Sequence, residues 1–310
     1  FVIYMDIHQI LLKYWGYNKF RPLQEDIISA ALDGKDTLAL LPTGGGKSIC
    51  FQVPTMAMDG LCVVVSPLIA LMKDQVENLV KRNIKAVAIY SGMTKREIDI
   101  TLDNCVYGNI KFLYISPERL TTEIFKARFP KMKVCLIAID ESHCISQWGY
   151  DFRPAYLNIA DLRNEKPDVP FLALTATATP EVVDDIQNQL KFKEHHILQK
   201  SFERKNLAYA VLNEEDKQNR LLKILNSVKG TSVVYVRSRK RTKEVASFLL
   251  KNGISADYYH AGLSNDERNQ KQNNWINDNT RVIVSTNAFG MGIDKPNVRS
   301  VVHLDLPDSL

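Results

Sequence analysis

Short apolar runs alternate with amphipathic stretches along the whole chain. In residues 1–200, six runs contain almost no polar residue, which is typical of parallel strands that are covered by helices on both faces. These predicted strands are 37–41, 61–65, 86–90, 111–115, 134–139 and 170–174. The alternation returns after residue 206, with predicted strands at 207–211, 232–236, 256–259, 281–285 and 299–303.

Helix start signals separate these runs. Thr94 with Glu97, and Ser264 with Glu267, have the spacing of a capping box, and Thr179 precedes a first-turn proline. The polar stretch 199–206 predicts a linker. The pattern therefore predicts an α/β protein with two doubly wound parallel-sheet domains, at 1–203 and 204–310.

Composition narrows the class of protein. The 310 residues are 45% hydrophobic and 24% charged, as in an average globular protein, which excludes a disordered chain or a collagen. No apolar run reaches the roughly 18 residues that a membrane helix needs. Five cysteines, an odd number without C-x-x-C spacing, predict free thiols and no zinc site. We expect a cytoplasmic protein without a membrane partner.

The charge is unevenly distributed. The net charge is +5, and residues 201–310 hold 17 of the 40 basic residues but only 12 of the 35 acidic ones. The second half therefore carries the whole excess. A mild excess of this size is compatible with binding a polyanion but does not require it.

A glycine-rich segment follows the first predicted strand. It reads Leu-Pro-Thr-Gly-Gly-Gly-Lys-Ser over residues 41–48 and leads into a helical pattern. Glycines let backbone N–H groups face phosphates, a lysine reaches the β- and γ-phosphates, and a serine binds Mg²⁺. The alternative is a plain flexible loop, and position 41 is Leu where the general pattern has Gly. The predicted ATP-binding residues are Thr43, Gly44, Gly45, Gly46, Lys47 and Ser48.

A pair of carboxylates ends the predicted strand 134–139. Asp140 in this position can hold Mg²⁺ together with Ser48, and Glu141 can orient and deprotonate an attacking water. His143 is a candidate relay, with a structural histidine as its alternative. We predict Lys47, Asp140, Glu141 and His143 as the catalytic residues.

Longer segments make the comparison with a known family specific. The segments 16–24, 66–75, 114–120, 172–179, 233–241 and 286–296 resemble motifs 0, Ia, the segment after Ia, III, IV and V of the RecQ helicases. Ser-His-Cys-Ile-Ser-Gln-Trp-Gly-Tyr-Asp-Phe-Arg-Pro at 142–154 resembles their aromatic-rich loop, in which most members have Ala in place of Ser142. The sequence thus resembles the RecQ family of superfamily 2 along nearly its whole length.

This resemblance implies two tandem RecA-like domains, ATP and Mg²⁺ as cofactors, and a monomeric motor. It implies 3′→5′ movement on single-stranded DNA and unwinding at duplex junctions, in repair or recombination. Tyr17, Arg21 and Gln24 would contact the adenine. The residues implied to contact DNA are Ser66, Trp148, Phe152, Arg153, Arg237, Ser238, His260 and Thr286. From composition alone, the two aromatics could instead be core residues, and the basic cluster at 237–243 could be a solvated helix face.

One departure and three alternatives remain open. The arginine pair of the family's motif VI has no counterpart before Leu310. We therefore expect a truncated second domain, and a chain that binds ATP and DNA but hydrolyses and unwinds poorly. The alternatives are a DEAD-box-like RNA helicase, a translocase that does not unwind, and a nucleotide-gated module that binds single strands without efficient turnover.

Overall fold

The fold comprises two compact units, residues 1–205 and 206–310. A computed structural model describes residues 6–42, 44–149, 151–176, 178–200, 206–290, 293 and 295–305, except for the side chain of Asn265. Thr43, a predicted ATP-binding residue, lies outside the described residues. Among the described residues, no helix is both long and apolar enough to cross a membrane.

The first unit contains a seven-stranded sheet in which all pairings are parallel. Its strands are β1 (Thr37–Leu40), β2 (Leu61–Val65), β3 (Ala86–Ile89), β4 (Phe112–Ile115), β5 (Val134–Ile139), β6 (Phe171–Thr175) and β7 (Ile197–Gln199). They follow the order β3-β4-β2-β5-β6-β1-β7. The ends of β1 and β5 are thus separated by one strand, β6.

Side-chain alternation along each strand supplies two separate cores. Leu38 and Leu40 of β1 belong to one buried cluster, whereas Ala39 belongs to the other. Because successive side chains of a strand point to opposite faces, one apolar run fills both cores. This explains why the central strands have no polar face.

Helices cover both faces of this sheet. They are α1 (Ile7–Trp15), α2 (Gln24–Leu32), α3 (Lys47–Ala57), α4 (Ile69–Val80), α5 (Lys95–Tyr107), α6 (Glu123–Lys126), α7 (Leu162–Glu165) and α8 (Pro180–Gln189). Short 3-10 helices span Pro117–Arg119, Phe129–Lys131, Ser142–Ile145 and Pro154–Asp161. Residues of α2, α3 and α4 pack into one core, and residues of α5 and α8 into the other.

One lysine fixes the far end of α3. The ammonium of Lys111 donates to the carbonyls of Thr55, Met58 and Gly60, at 3.0, 2.6 and 3.0 Å. A cation at a helix C-terminus offsets the unpaired carbonyls and the negative end of the helix dipole. Lys111 therefore holds the C-terminal end of the helix that follows the glycine-rich loop.

The second unit contains a smaller parallel sheet in the order β11-β8-β10-β9. Its strands are β8 (Thr231–Tyr235), β9 (Ala256–Tyr259), β10 (Val282–Ser285) and β11 (Val298–His303), and its helices are α9 (Lys217–Ser227), α10 (Arg239–Lys251) and α11 (Asn265–Ile276). α9 and α10 pack on one face, and Trp275 of α11 on the other. Both units are therefore doubly wound α/β structures.

Most predicted elements are confirmed to within a residue or two. Both capping boxes form, at Thr94 with Glu97 and at Ser264 with Glu267, and α8 begins at Pro180. The five cysteines are free thiols.

The predicted strand 207–211 is wrong, because these residues form no strand. Leu207, Tyr209 and Val211 are exposed by 45%, 89% and 90%. Apolar alternation makes a segment able to form a strand, but a strand also needs a neighbour to accept its ladder.

The predicted linker 199–206 begins too early, because Gln199 belongs to a strand. Residues 197–199 form β7, which pairs with β1 at the sheet edge. His196 lies half-buried beside it, and its Nδ1 is 3.1 Å from the hydroxyl of Thr37. His196 therefore contributes to the sheet rather than to open surface.

Candidate active site and nucleic-acid interface

The glycine-rich loop connects β1 to α3 and requires its glycines. Gly44 and Gly46 have φ of +75° and +79°, where side chains are strained. A Cβ on Gly45 would lie 2.7 Å from the carbonyl oxygen of Pro42, and one on Gly46 would collide with the amide of Gln24. The N-cap residue of α3 is Gly46, which has no side chain to cap the first turn. Its N–H groups and dipole can therefore face an anion.

Lys47 and Ser48 open this helix, and both are half-buried. The ammonium of Lys47 lies 3.6 Å from Oε1 of Glu141, with side chains only 17% and 27% exposed. The loop lysine and the second carboxylate of the pair thus meet in the structure, although they are far apart in sequence.

Asp140 lies at the end of β5 in a network of hydrogen bonds. Its carboxylate accepts from the backbone N–H of Glu141 at 3.0 Å and from the hydroxyl of Ser66 at 3.4 Å. Burial, followed by the charge of Glu141, raises the pKa of Asp140 to about 6, while Lys47 opposes the shift. A buried carboxylate of this kind, with a serine hydroxyl in the loop, is the oxygen donor set that suits Mg²⁺.

Glu141 and His143 extend the contact chain towards β6. Glu141 has a left-handed backbone with φ of +47°. His143 is 3% exposed, and its Nδ1 lies 3.4 Å from Oε2 of Glu141 and 2.9 Å from the hydroxyl of Thr175. Burial lowers the pKa of His143. The ends of three adjacent strands are thus connected by side chains.

Arg21 and Gln24 lie directly on the glycine-rich loop. Arg21 donates to the carbonyl of Gly44, and the Gln24 amide donates to the carbonyls of Gly46 and Gly45 at 3.0 and 3.4 Å. Gln24 also accepts from the backbone N–H of Arg21 at 2.8 Å. Tyr17 is 54% exposed. No pattern in the sequence indicated that this glutamine bonds to the loop itself.

The aromatic-rich segment has a mixed environment. Trp148 is 79% exposed, which excludes the core-residue alternative, whereas Phe152 is half-buried. Arg153 donates to Asp151 at 3.1 Å and to the carbonyl of Pro67 at 3.3 Å. The segment is therefore connected to the loop after β2.

Ser66 does not lie at an exposed surface, contrary to its predicted contact with DNA. It is 1% exposed, and its hydroxyl points to Asp140. In this conformation the side chain belongs to the acidic site, because hydrogen bonding to Asp140 keeps it away from solvent.

His143, Cys144 and Asp151 form the one group of potential metal ligands found among the described residues, with ligand atoms within 4.8 Å of one another. Arg153 already neutralises Asp151, and burial raises the pKa of Cys144 to about 12. Both features disfavour a metal thiolate here. The expected absence of zinc stays a prediction.

In the second unit the basic residues separate into two environments. Asp305 accepts from the backbone N–H of Arg237 and from the side chain of Arg241, both at 3.0 Å. Ser238 caps α10, its hydroxyl accepting from the N–H of Arg241 at 3.2 Å. Thr286 follows β10 and is half-buried.

A cavity of about 330 Å³ lies beside this helix start. It is lined by Arg239, Lys240, Lys243, His260 and Gly262. The sequence identified His260 and the basic cluster, but it favoured Arg237 and Ser238 over the cations that line the cavity. The missed signal is the i, i+1, i+4 spacing of residues 239, 240 and 243 at a helix start, which places them on neighbouring faces.

Comparison with known proteins identifies the family. The model of the DEAD/DEAH box helicases matches residues 21–186, and that of the helicase conserved C-terminal domain matches residues 216–310.

The chain belongs to the DEAD/DEAH box helicase family.

The RecQ resemblance is confirmed by curated relatives of this chain. The chain is 43% identical to ATP-dependent DNA helicase RecQ of Haemophilus influenzae, over 97% of this chain and 49% of that protein. It is also 43% identical to the RecQ of Bacillus subtilis, over 97% and 51%. The chain thus spans about half the length of the curated relatives that it matches.

Solved structures support the fold class. The helicase MrfA bound to DNA superposes with a TM-score of 0.76 at 18% identity, over 98% of this chain and 48% of that one. The prediction of two RecA-like parallel-sheet units is confirmed, and the second sheet is the smaller one.

Proposed function

We propose that this chain is the motor of a RecQ-type, ATP-dependent DNA helicase. The observation that carries the proposal is the contact chain from Lys47 through Glu141 to His143, at the end of the glycine-rich loop. This arrangement combines a phosphate-binding cation with a carboxylate positioned for a water. The RecQ-like sequence adds DNA as the nucleic acid.

ATP would bind with its phosphates over the glycine-rich loop. The N–H groups of the loop and of α3 would contact phosphate oxygens, and Lys47 would supply the point charge. Ser48 and Asp140 would hold Mg²⁺, which offsets charge on the phosphates as they react. Tyr17, Arg21 and Gln24 would contact the base, since two of them already lie at the loop.

Glu141 would orient the attacking water and accept its proton. Its carboxylate lies between Lys47 and His143, so neighbouring groups restrain its position. His143 would transmit the state of the carboxylate to Thr175 at the end of β6, 2.9 Å away. A neutral imidazole suits this role, because its Nδ1, which faces both groups, can donate to the carboxylate in one tautomer and accept from the Thr175 hydroxyl in the other.

Single-stranded DNA would contact both units. Exposed Trp148 would stack on a base, with Phe152 and Arg153 beside it. In the second unit, the DNA phosphate backbone would be contacted by Arg237, Ser238, His260 and Thr286. Arg153 connects the aromatic segment to Pro67, and the adjacent Ser66 bonds to Asp140, so a short path joins DNA to the metal site.

The domain boundary near residue 203, the monomeric state, the cytoplasmic location and the 3′→5′ direction belong to the same proposal. The boundary rests on the linker composition, the location on the pattern of free cysteines, and the monomeric state and the direction on the RecQ-like motifs. A role in DNA repair or recombination likewise follows from the family.

The decisive experiment compares ATP turnover with oligothymidylate, with oligouridylate and without nucleic acid. We expect stimulation by the DNA, and its loss in Lys47→Ala but not in the control Lys35→Ala, whose exposed side chain lies outside the loop. Stronger stimulation by RNA would instead favour the DEAD-box-like RNA helicase. Tight DNA binding with turnover no higher than in Lys47→Ala would favour the single-strand-binding module.

Strand displacement from duplexes with a 3′ or a 5′ tail tests the remaining points. The proposal expects ATP-dependent release from the 3′-tailed duplex only, at the low rate that the sequence predicts for this chain. DNA-stimulated turnover with no strand released from either duplex would identify a translocase that does not unwind.

A further inference from the structure

The cavity beside α10 has the composition of an anion site. All four side chains that line its volume of about 330 Å³ are basic: Arg239, Lys240, Lys243 and His260. The volume corresponds to about ten water molecules, so it can hold a phosphate group with part of its substituents. It lies at the first turn of a 13-residue helix, where the helix dipole also favours an anion.

His260 is the independent sign that a ligand belongs here. The residue is 5% exposed, and neither ring nitrogen has a hydrogen-bond partner on another of the described residues. Burying polar atoms without partners costs free energy, so such atoms call for a ligand or water.

Gly262 completes the wall. A Cβ at this position would lie 2.8 Å from NH1 of Arg239, so the glycine leaves room for the guanidinium beside the backbone. Arg239 therefore lies against the loop that follows His260. The cation and the imidazole thus line the same space.

The charges around His260 come from three elements. Arg239, Lys240 and Lys243 lie on α10, and Glu267 and Lys271 lie on α11. From β9, Tyr258 lies with its ring 5.8 Å from that of His260 and 4.0 Å from the ammonium of Lys271, which also pairs with Asp257 at 2.6 Å. Burial first, and then Lys243 and Arg239, lower the pKa of His260, while a hydrogen bond with its own backbone and the charge of Glu267 act in the opposite direction.

We propose that this cavity binds one phosphodiester group of the DNA strand, and that His260 takes up a proton as the phosphate enters. This inference rests on the proposed function and adds a regulation to it, namely a grip on DNA that depends on pH. Arg239 and Lys243 provide the permanent charge, and His260 provides the charge that responds.

The number of hydrogen bonds that the imidazole can donate explains why phosphate binding takes up a proton. A neutral imidazole has one N–H, whereas an imidazolium has two. Two ring nitrogens without partners can therefore both donate to phosphate oxygens or waters only in the protonated state. The phosphate charge also offsets Lys243 and Arg239, whose positive charges oppose protonation of the imidazole in the empty site.

The direction of the pH dependence follows from the linkage between protonation and DNA binding. In the empty cavity the pKa of His260 lies below its ordinary 6.5, and with phosphate bound it lies higher. Between these two values binding takes up a proton, so DNA affinity rises as the pH falls through this interval. One linked proton strengthens binding by at most about tenfold per pH unit.

The test uses the 310-residue chain without nucleotide and an oligothymidylate, whose bases do not titrate between pH 5 and 8. Calorimetry at pH 6.5 in two buffers of different ionisation enthalpy counts the protons taken up. We expect an uptake approaching one, and an affinity that weakens from pH 5.5 to 8.0 at constant salt.

Two variants and a control assign the proton. His260→Asn and His260→Gln should bind without this uptake and with a flat pH profile. His195→Asn changes an exposed histidine in the first unit and should behave like the parent. Melting curves show whether each variant is folded, and the proton count of the parent stands even if both His260 variants unfold.

The outcomes distinguish failure of this inference from failure of the proposed function. DNA binding without proton uptake, or unchanged uptake in a folded His260 variant, overturns this inference and leaves the proposed function intact. No DNA binding at any pH overturns the proposed function itself. Sulfate alone should compete with the DNA; if sulfate brings the proton and the DNA does not, the cavity takes a free anion and the DNA assignment is wrong.

Discussion

At the scale of single residues, the backbone of Glu141 explains how the acidic pair works. Its φ of +47° is one that non-glycine residues rarely adopt, at a cost of about 1–2 kcal/mol. The strained turn brings the carboxylate within 3.6 Å of Lys47 and 3.4 Å of His143. The strain is therefore found where the proposed water would be oriented.

Glu141→Gln should retain nucleotide binding and lose hydrolysis. The amide preserves the shape but cannot accept the proton, so turnover should fall by about 10²–10⁴. Turnover and the affinity for a fluorescent ATP analogue are measured in parallel, with Glu123→Gln, whose side chain is 94% exposed, as the control. A matching collapse of nucleotide affinity would show that Glu141 serves the metal or the fold instead.

Asp140→Asn should stabilise the protein in EDTA at pH 7.5. The pKa of Asp140 is about 6 in the folded protein against an ordinary 3.8. Between these values the folded state holds a proton that the unfolded state has lost, so stability falls as the pH rises from 4 to 6 and stays lower above. The amide removes this penalty, which is at most about 3 kcal/mol.

Melting temperatures at pH 7.5 and pH 4.5 test this expected gain in stability. The variant should melt a few degrees above the parent at pH 7.5, and the gap should narrow at pH 4.5. Asp168→Asn, with a side chain that is 99% exposed, is the control. A variant less stable than the parent at pH 7.5 would mean that hydrogen bonds to the carboxylate outweigh its burial.

At the scale of elements, Tyr235 connects two strands to a loop. Its hydroxyl donates to the carbonyl of Phe289 at 2.8 Å, and its ring stacks on His303 at a centroid distance of 5.0 Å. A Cβ on Gly290 would lie 2.6 Å from the hydroxyl. β8 therefore holds the loop after β10, which includes Thr286.

Tyr235→Phe should reduce DNA-stimulated ATP turnover while nucleotide affinity stays unchanged. Losing the hydroxyl leaves the Phe289 carbonyl without its donor, at a cost of about 1 kcal/mol, and loosens the loop. Turnover is measured against DNA concentration, with Tyr107→Phe, 80% exposed, as the control. Unchanged stimulation would confine Tyr235 to a packing role.

Trp148→Ala should uncouple DNA from hydrolysis. Stacking one base on this 79% exposed ring is worth about 1–3 kcal/mol, enough to bias the aromatic segment between two states. Basal turnover should persist and its stimulation by DNA should fall. Tyr107→Ala removes an equally exposed ring elsewhere, and an equal effect in both variants would contradict a specific role.

The sequence predicted those elements whose own residues carry the signal. Strands buried on both faces, such as β2, can be recognised in the sequence as continuous apolar runs. β7 has only three residues, of which Ile197 is 40% exposed, so no periodicity reveals it. Similarly, the ends of predicted strands led to Lys47 and Asp140. The basic residues that line the cavity could not be found in this way, because their grouping depends on how α10 packs beside His260.

At the scale of the whole molecule, each described core belongs to one unit. The clusters around Leu38, Ala39 and Ile10 lie in residues 1–205, and those around Val234 and Val233 lie in residues 206–310. The residues proposed for nucleotide binding all lie in the first unit as well. The first unit therefore has what independent folding requires.

A fragment of residues 1–205 should fold and bind ATP, yet show no DNA-stimulated turnover. Its affinity should stay within about tenfold of that of the whole chain, because the loop, Gln24 and Asp140 are all retained. Circular dichroism and nucleotide titration test this, with the same fragment carrying Lys47→Ala as the control. A folded fragment that fails to bind ATP would place an essential nucleotide contact beyond residue 205.

The amide of Gln24 bonds to the carbonyls of Gly45 and Gly46 in the protein described here. If Gln24 contacts the base as we propose, an incoming adenine has to exchange with the protein's own backbone and not only with water. Adenine is then selected against an internal competitor of fixed geometry. Inorganic tripolyphosphate, which has no base, would leave that bond in place and occupy the loop without the exchange.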